Sequence, residues 1–342
     1  MKKLLSLLLC TAMIMTAFTA CSGDKSKDTD AAAGGTAKTG LAVITSADKS
    51  KDATSEADGL AQADSTAVAV LIDSKGIITN CVIDAVQTKI NFSAAGELTT
   101  DMAAEFVSKK ELGDAYDMKK NSGIGKEWFE QAKALENYVI GKTVADVKGI
   151  ALNEKGVPTS ADLTAGVTVT VSDILAAIEK AAGNAQDLGA FANDRLGLGI
   201  ISGTGHSKNA ADGDGLAQPY TFYGAITLDK DGKITSSIID ASQANIAFSK
   251  EGKITSDLTA EFKTKNELGD GYGMKKSSGI GKEWFEQAKS FSNYITGKTP
   301  ADVKAIALND EGAPTAADLT SSVTVSIGEF LTVVDKAGAT AK

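Results

Sequence analysis

From Ala67 to Ile72 the chain is unbroken apolar, Asp73-Ser74-Lys75-Gly76 interrupts it, and a second largely apolar run follows from Ile77 to Asp84. Two apolar, β-branched segments around a glycine-bearing turn predict a β-hairpin. The pattern returns as Tyr223 to Leu228, Asp229-Lys230-Asp231-Gly232 and Ile234 to Asp240. Ahead of each hairpin a short apolar run, Leu41 to Thr45 or Leu198 to Ile201, predicts a first strand. Behind it Thr88, Ile90 and Phe92, or Ala244, Ile246 and Phe248, alternate as a further strand does. The period then changes. Phe129, Ala132, Leu135, Tyr138 and Val139 recur at three and four from Trp128, with Gly141 where a helix would stop. A short second helix is expected at Thr143, where Asp146 completes a capping box, and at Thr299-Pro300-Ala301-Asp302.

From about residue 58 onwards these echoes share one offset. Glu111 to Lys133 reappears almost unchanged at Glu267 to Lys289, 156 residues on, and the same step pairs Asp84 with Asp240, Pro158 with Pro314 and Thr168 with Thr324. A period of this length matches a whole domain. The expectation is α+β: two tandem units at about 41–185 and 196–340, each a mainly antiparallel sheet packed with helices, each able to bury its own core and separable by proteolysis in 183–195. Function that both units perform should rest on residues present in both.

Residues 1–20 carry Lys2 and Lys3, an apolar run from Leu4 to Phe18 and a small-residue end, the layout of a secretory signal. Phe18-Thr19-Ala20-Cys21 resembles a bacterial lipobox, which makes Cys21 the expected lipidated N-terminus and the membrane the expected anchor. Residues 21–40 are small and polar and read as a flexible tether. Removing the leader would take the formal charge from -9 to -11. An acidic surface argues against nucleic acid as a partner.

Cysteine and histidine remove whole classes of chemistry. Cys81 faces Ser237 in the repeat, and His206 occurs in one copy only. No disulfide framework or thiolate metal site is available, and paired histidine catalysis is ruled out. Gly279-Ile280-Gly281-Lys282 lacks the spacing of a phosphate loop, so its glycines are assigned to a tight helix entry. Asp229 and Asp231 lack an EF-hand's distal glutamate and are assigned to the turn. Trp128 and Trp284 are the only tryptophans and are expected as core anchors beneath the sheet.

The last element of each copy holds the candidate chemistry. Asp162-Leu163-Thr164-Ala165-Gly166-Val167-Thr168-Val169-Thr170 and Asp318-Leu319-Thr320-Ser321-Ser322-Val323-Thr324-Val325-Ser326 lead into a final helix. Thr170 and Ser326 are expected to cap it, with Asp173 and Glu329 completing the box, which would set Thr168 and Thr324 near a helix N-terminus that favours phosphate. The plainer reading is a β-branched strand from Val167 to Val171 with nothing attached.

This segment resembles that of the FMN-binding domain family, found in flavin-bearing subunits of sodium-pumping quinone reductases and in tandem-domain flavin lipoproteins of Gram-positive extracellular electron transfer. There an Asp-x-x-Ser-Gly-Ala-Thr-x-Ser/Thr segment is flavinylated through phosphate on its threonine. The resemblance implies FMN, covalent on Thr168 and Thr324, with Gly166, Thr170 and Ser326 in the motif. Tyr116, Met118 and Lys119, and Tyr272, Met274 and Lys275, are similar to a second run of related lipoprotein domains. Both copies put valine, Val167 and Val323, where the family has alanine, a side chain that would crowd a flavin it faced. The implied protein is a monomeric electron carrier on the outer face of the cytoplasmic membrane, served by a flavin transferase and a membrane electron donor. The other reading is a cofactor-free surface lipoprotein that binds a solute or an envelope component.

Overall fold

The computed structural model describes residues 35–342. The expected signal segment, Cys21 and most of the tether lie outside that range. The first copy contributes strands β1 (Ala37–Ser46), β2 (Gly59–Asp73), β3 (Ile78–Phe92) and β4 (Glu105–Phe106), then helices α1 (Lys109–Leu112), α2 (Trp128–Val139), α3 (Val144–Lys148), α4 (Ala161–Thr164) and α5 (Ser172–Gly183). The second follows with β5 (Arg195–Gly203), β6 (Gly215–Ala217), β7 (Tyr220–Leu228), β8 (Ile234–Gln243) and β9 (Ile246–Phe248), then α6 (Lys265–Leu268), α7 (Trp284–Ile295), α8 (Pro300–Lys304), α9 (Ala317–Thr320) and α10 (Gly328–Thr340). The molecule is mixed α and β, with every strand pair antiparallel: β1-β2-β3 in one sheet, β4-β5-β7-β8 in a second, and β6 with β9 in a small third.

The hairpin turns form as the spacing predicts. Asp73 Oδ1 accepts from the Lys75 and Ile77 amides, and Asp229 Oδ1 from those of Asp231 and Lys233, which is the turn role assigned to these aspartates. The alternating stretch from Thr88 to Phe92 is no separate strand in the first copy but the far half of β3, whereas in the second a break after Gln243 divides β8 from β9. Thr143 and Thr299 cap α3 and α8 with complete capping boxes. The tether ends earlier than its composition implies, because Ala37 to Gly40 already pair with β2. Gly40 is required there: a Cβ would meet the Ala181 carbonyl oxygen of α5 at 2.0 Å, as one on Gly197 would meet Ala337 O of α10 at 1.9 Å.

Each sheet is buried on both faces, which explains why β2 reads as continuous apolar sequence rather than clean alternation. Val68, Val70 and Ile72 face α2 and α5 in one cluster with Trp128, Leu135, Ile174 and Ile178. Their neighbours Ala67, Ala69 and Leu71 face the other way, onto Leu196, Leu198, Ile200 and Tyr223 of the second copy. The second copy repeats its own helix-facing core with Ile226, Leu228, Trp284, Phe291 and Phe330. The layers therefore run helices, sheet, sheet, helices, and the inner layer belongs to both copies.

The junction has two-fold pseudosymmetry. Phe92 stacks on its counterpart Phe248 with centroids 4.3 Å apart and planes 12° from parallel. Around this pair several contacts come twice. Ala53 N–H donates to Gly252 O and Ala210 N–H to Gly96 O, each at 2.8 Å. Leu98 N–H donates to Asn209 Oδ1 and Ile254 N–H to Asp52 Oδ1. Lys180 pairs with Glu267, and Lys336 with Glu111.

Candidate functional site

The repeated stretch builds its site from the backbone outward. Ser108 and Thr264 cap α1 and α6, with Glu111 and Glu267 closing the boxes. This fixes Lys109 and Lys265 at the first turn. A short 3-10 turn then presents Tyr116 or Tyr272, and the chain reverses through a left-handed residue, Asp117 at φ 53° or Gly273 at φ 78°. Immediately afterwards a buried glutamate gathers the loop. Glu127 accepts from the amides of Met118 and Lys119 at 3.0 and 2.9 Å, and Glu283 from those of Met274 and Lys275 at 2.8 and 2.9 Å. Glu127 and Glu283 are also the cap residues of α2 and α7, two after the left-handed Gly125 and Gly281 that turn the chain into the helices. Lys119 and Lys275 leave their side chains exposed, so their place in the run is set by backbone.

A second buried side chain ties in the threonine segment. Gln131 Oε1 accepts from the Thr168 amide at 2.8 Å and from Thr168 Oγ1 and the Val169 amide at 3.3 Å. Gln287 does the same for Thr324 and Val325. Both glutamines are fully buried and donate their other end to Ser122 and Lys126 O, or Ser278 and Lys282 O. Such a buried amide with all its partners holds a loop more firmly than propensity would.

Three expectations for this segment are corrected. It is not a strand: α4 or α9 ends just before it and a bend carries it into α5 or α10. Thr170 and Ser326 do not cap those helices. Val171 and Ile327 occupy the cap positions without any side-chain bond, because their own side chains are pulled fully into the core, while Thr170 Oγ1 donates instead to Lys155 O at 3.0 Å. Val167 and Val323 crowd nothing outside the protein, since both are also wholly buried against the helices. Thr168 is half-buried and Thr324 exposed; Gly166 sits where a Cβ would approach Ala134 Cβ at 3.0 Å.

In the second copy these pieces surround a cavity of about 500 Å³. Of the residues expected from sequence in this copy, Tyr272, Met274 and Ser326 line it, whereas Lys275 does not and Thr324 only adjoins the lining residue Val325. Trp284 serves both as the expected core anchor and as part of the wall. Three contributors were not legible in the sequence: Lys265, Tyr220 of β7, and Glu105 of β4, which comes from the first copy and pairs with Gly203. The repeated lysine was visible as a repeat, but nothing local shows what it touches.

Lys265 is 3% exposed, with its ammonium 4.6, 4.5 and 4.9 Å from the ring centroids of Tyr220, Tyr272 and Trp284. It donates to Tyr220 Oη. Burial pulls its pKa down to about 8 although Asp240 and Glu329 pull it back up, and burial pushes the Tyr220 phenol well above its ordinary value. Asp240, behind it, is pushed up to about 7 by burial despite accepting from the Ala241 and Asn266 amides. The arrangement sets one ammonium against three ring faces, and it can hold a flat group that stacks on those rings and turns an acceptor atom on its edge to the cation.

The first copy builds the same frame and fills it differently. Asp64 stands where the second copy has Tyr220, and Lys49, in the segment ahead of β2 where strand pairing shifts the match to 157 residues, stands where it has His206. The two form an ion pair at 2.5 Å, and Asp64 also accepts from Gln62 Nε2 and Gln87 Nε2. Burial pushes the Asp64 carboxyl up, but these donors hold it below the usual carboxylate range. Lys109 keeps only two rings, Tyr116 at 4.8 Å and Trp128 at 5.1 Å.

Among the described residues no group of three or more histidine, cysteine, aspartate or glutamate side chains is placed to hold a metal, and no helix is long and apolar enough to cross a membrane. Cys81 is fully buried, and that burial pushes its thiol far up, which leaves it inert.

No described protein family matches the chain, and no solved structure does. One curated protein is similar over a limited stretch: chlorophenol reductase of Desulfitobacterium hafniense, 37% identical over 94 residues, which are 24% of this chain and 29% of that protein. The chain thus spans under a third of the length of the curated relative it matches.

Proposed function

We propose that the protein is a membrane-anchored, extracytoplasmic electron carrier that holds a flavin in the aromatic cavity of its second copy. The observation that carries this is the convergence of Trp284, Tyr272 and Tyr220 on one buried lysine in a cavity of about 500 Å³, a size and lining suited to one planar cofactor. Lys265 and the rings would hold the flavin ring, and Thr324, two residues before the cavity residue Ser326, would take the phosphate linkage that the family resemblance implies. The flavin would supply reversible one- and two-electron transfer; the protein supplies binding, orientation and exclusion of water. The similarity to a protein named as a reductase supports a redox role. A diacylglyceryl Cys21 would keep the carrier at the outer face of the cytoplasmic membrane, near a membrane donor.

The test is to produce the chain with a competent flavin transferase and measure mass, visible absorption and protein-bound fluorescence after denaturation. Flavin retained through denaturation in the wild type and lost in Thr324→Ala is the expected result. A plain polypeptide mass with no flavin absorption would sink the proposal and leave the cofactor-free lipoprotein. Cys21→Ser should release the protein from membranes.

A further inference from the structure

The two copies share a frame but not a cavity wall. Everything that shapes the loop is duplicated: the capping boxes of α1 and α6, the glutamates Glu127 and Glu283, the glutamines Gln131 and Gln287, and the tryptophans. The differences gather at the positions that decide whether a ring can enter. In the second copy Tyr220 and His206 lie 5.4 Å apart as a tilted aromatic pair, and Tyr220 packs on Phe222 at 4.5 Å. In the first the corresponding places hold Asp64, Lys49 and Thr66. A ring entering there would meet no aromatic face from these positions and would lie against the Asp64 carboxylate, which keeps its Gln62 and Gln87 donors; the Lys49 end of the pair is mostly exposed and by itself holds little. In the second copy the lysine is held by a phenol and three ring faces and can offer a proton to an acceptor oxygen, with the Glu105 and Glu329 carboxylates elsewhere on the same wall.

We infer that the copies are functionally unequal: the second takes one planar aromatic ligand bearing an acceptor oxygen directed to Lys265, and the first takes none, because Asp64, Lys49 and Thr66 stand where the second copy has the rings of Tyr220, His206 and Phe222. The inference rests on the electron-carrier reading only in naming that ligand a flavin. It replaces the equal loading of Thr168 and Thr324 implied by the repeat with loading of one copy. The first copy still matters to the site, since its Glu105 forms part of the cavity wall and its Asp101 and Met102 carbonyls accept from Thr204 Oγ1.

The experiment uses the full chain made without a flavin transferase, titrated by isothermal calorimetry with FMN and, separately, with anthraquinone-2-sulfonate, a planar anion with quinone oxygens. Lys265→Met and Lys109→Met keep side-chain volume while removing each charge, and their folds are checked by near-ultraviolet circular dichroism. One FMN per chain is expected, weakened about tenfold or more by Lys265→Met, the scale of one desolvated cation contact, and unchanged by Lys109→Met. Two sites per chain, or equal sensitivity to both variants, overturns the inference. Anthraquinone-2-sulfonate binding once, with this variant pattern, while FMN fails to bind leaves the unequal copies standing and sinks the flavin. If neither probe binds, the inference is wrong.

Discussion

At the position of Glu136 in α2 the second copy has Ser292, and the comparison shows how a duplicated fold can spend the same space in two ways. Glu136 is fully buried and accepts from Lys110 Nζ at 2.5 Å, Lys342 Nζ at 2.8 Å and the Ile83 amide at 2.8 Å. Burial pushes its carboxyl up, but the two lysines and the amide hold it below its ordinary value. In the second copy Asn266 replaces Lys110, Gln186 stands where Lys342 does, and a cavity of about 270 Å³ is lined by Ser292, Asn266 and Gln186. The first copy thus has charge where the second has space, both here and at the Lys49–Asp64 pair. Charge that is fully paired rigidifies, whereas space beside polar side chains is available to a ligand.

The sharpest way to break this comparison is to delete the charge. Glu136→Ala leaves the Lys110 ammonium and the Ile83 amide without their shared acceptor and should destabilise the fold by about 3–5 kcal/mol. Ser292→Ala should change it by about 1 kcal/mol or less. Chemical denaturation of both variants measures the contrast, and equal effects would show the two sites to be energetically alike.

Next in size is the shared junction. Phe248→Ala opens a gap against Phe92 and should cost about 3–5 kcal/mol, at the lower end if the small residues around it close in. The shared cluster of Leu41, Val43, Leu198 and Tyr223 also means that a chain nicked between 184 and 194 should run as one species on gel filtration. Fragments that separate and each remain folded would restore the independent units expected from the repeat.

Gln287→Ala and Gln131→Ala each strand two buried or half-buried amides and should cost about 1–3 kcal/mol, with equal effects in the two copies because the glutamine contacts are the same. Under the electron-carrier reading only Gln287→Ala should also lower flavin loading.

A smaller effect is expected from pH. Asp240 is raised to about 7 in the folded protein, against about 3.9 when unfolded. The folded state therefore binds its proton more tightly, and the stability this adds is fully present below about pH 4 and is lost as pH rises toward 7. Asp84 is also raised by burial, but the Lys110 ammonium beside it opposes the shift, where the second copy has only Asn266. Asp240→Asn should flatten the stability profile between pH 4 and 7 more than Asp84→Asn does; the reverse order in thermal melts would contradict the assigned roles of Lys110 and Asn266. Smallest of all, Lys336→Ala at the partly exposed pair with Glu111 should cost about 0.2–1 kcal/mol and less in high salt.

What could be read from the chain follows from range. Turn aspartates, the threonine caps of α3 and α8 and the helix around Trp128 depend on residues within about four positions, so their chemistry is complete in the local sequence. The repeat itself is a property of sequence and already said that two similar units exist. The caps of α5 and α10 were misread for a physical reason: Val171 and Ile327 win those positions by burial in the core, which outweighs a hydroxyl's local advantage and is invisible to a local pattern.

Tertiary structure alone decided how the units meet and how they differ. Phe92 reaches Phe248 across 156 residues, and Lys265 finds Tyr220 from 45 residues away. A residue pattern states which side chains are apolar or charged, not which distant partner supplies the other half of a contact. The strands were legible as apolar, but only packing shows that Ala67, Ala69 and Leu71 are apolar for the sake of the other copy. Likewise Asp64 and Tyr220 are simply unlike residues at matching positions until the fold places one against Lys49 and the other beneath Lys265, where the exchange decides between a charged wall and an aromatic one.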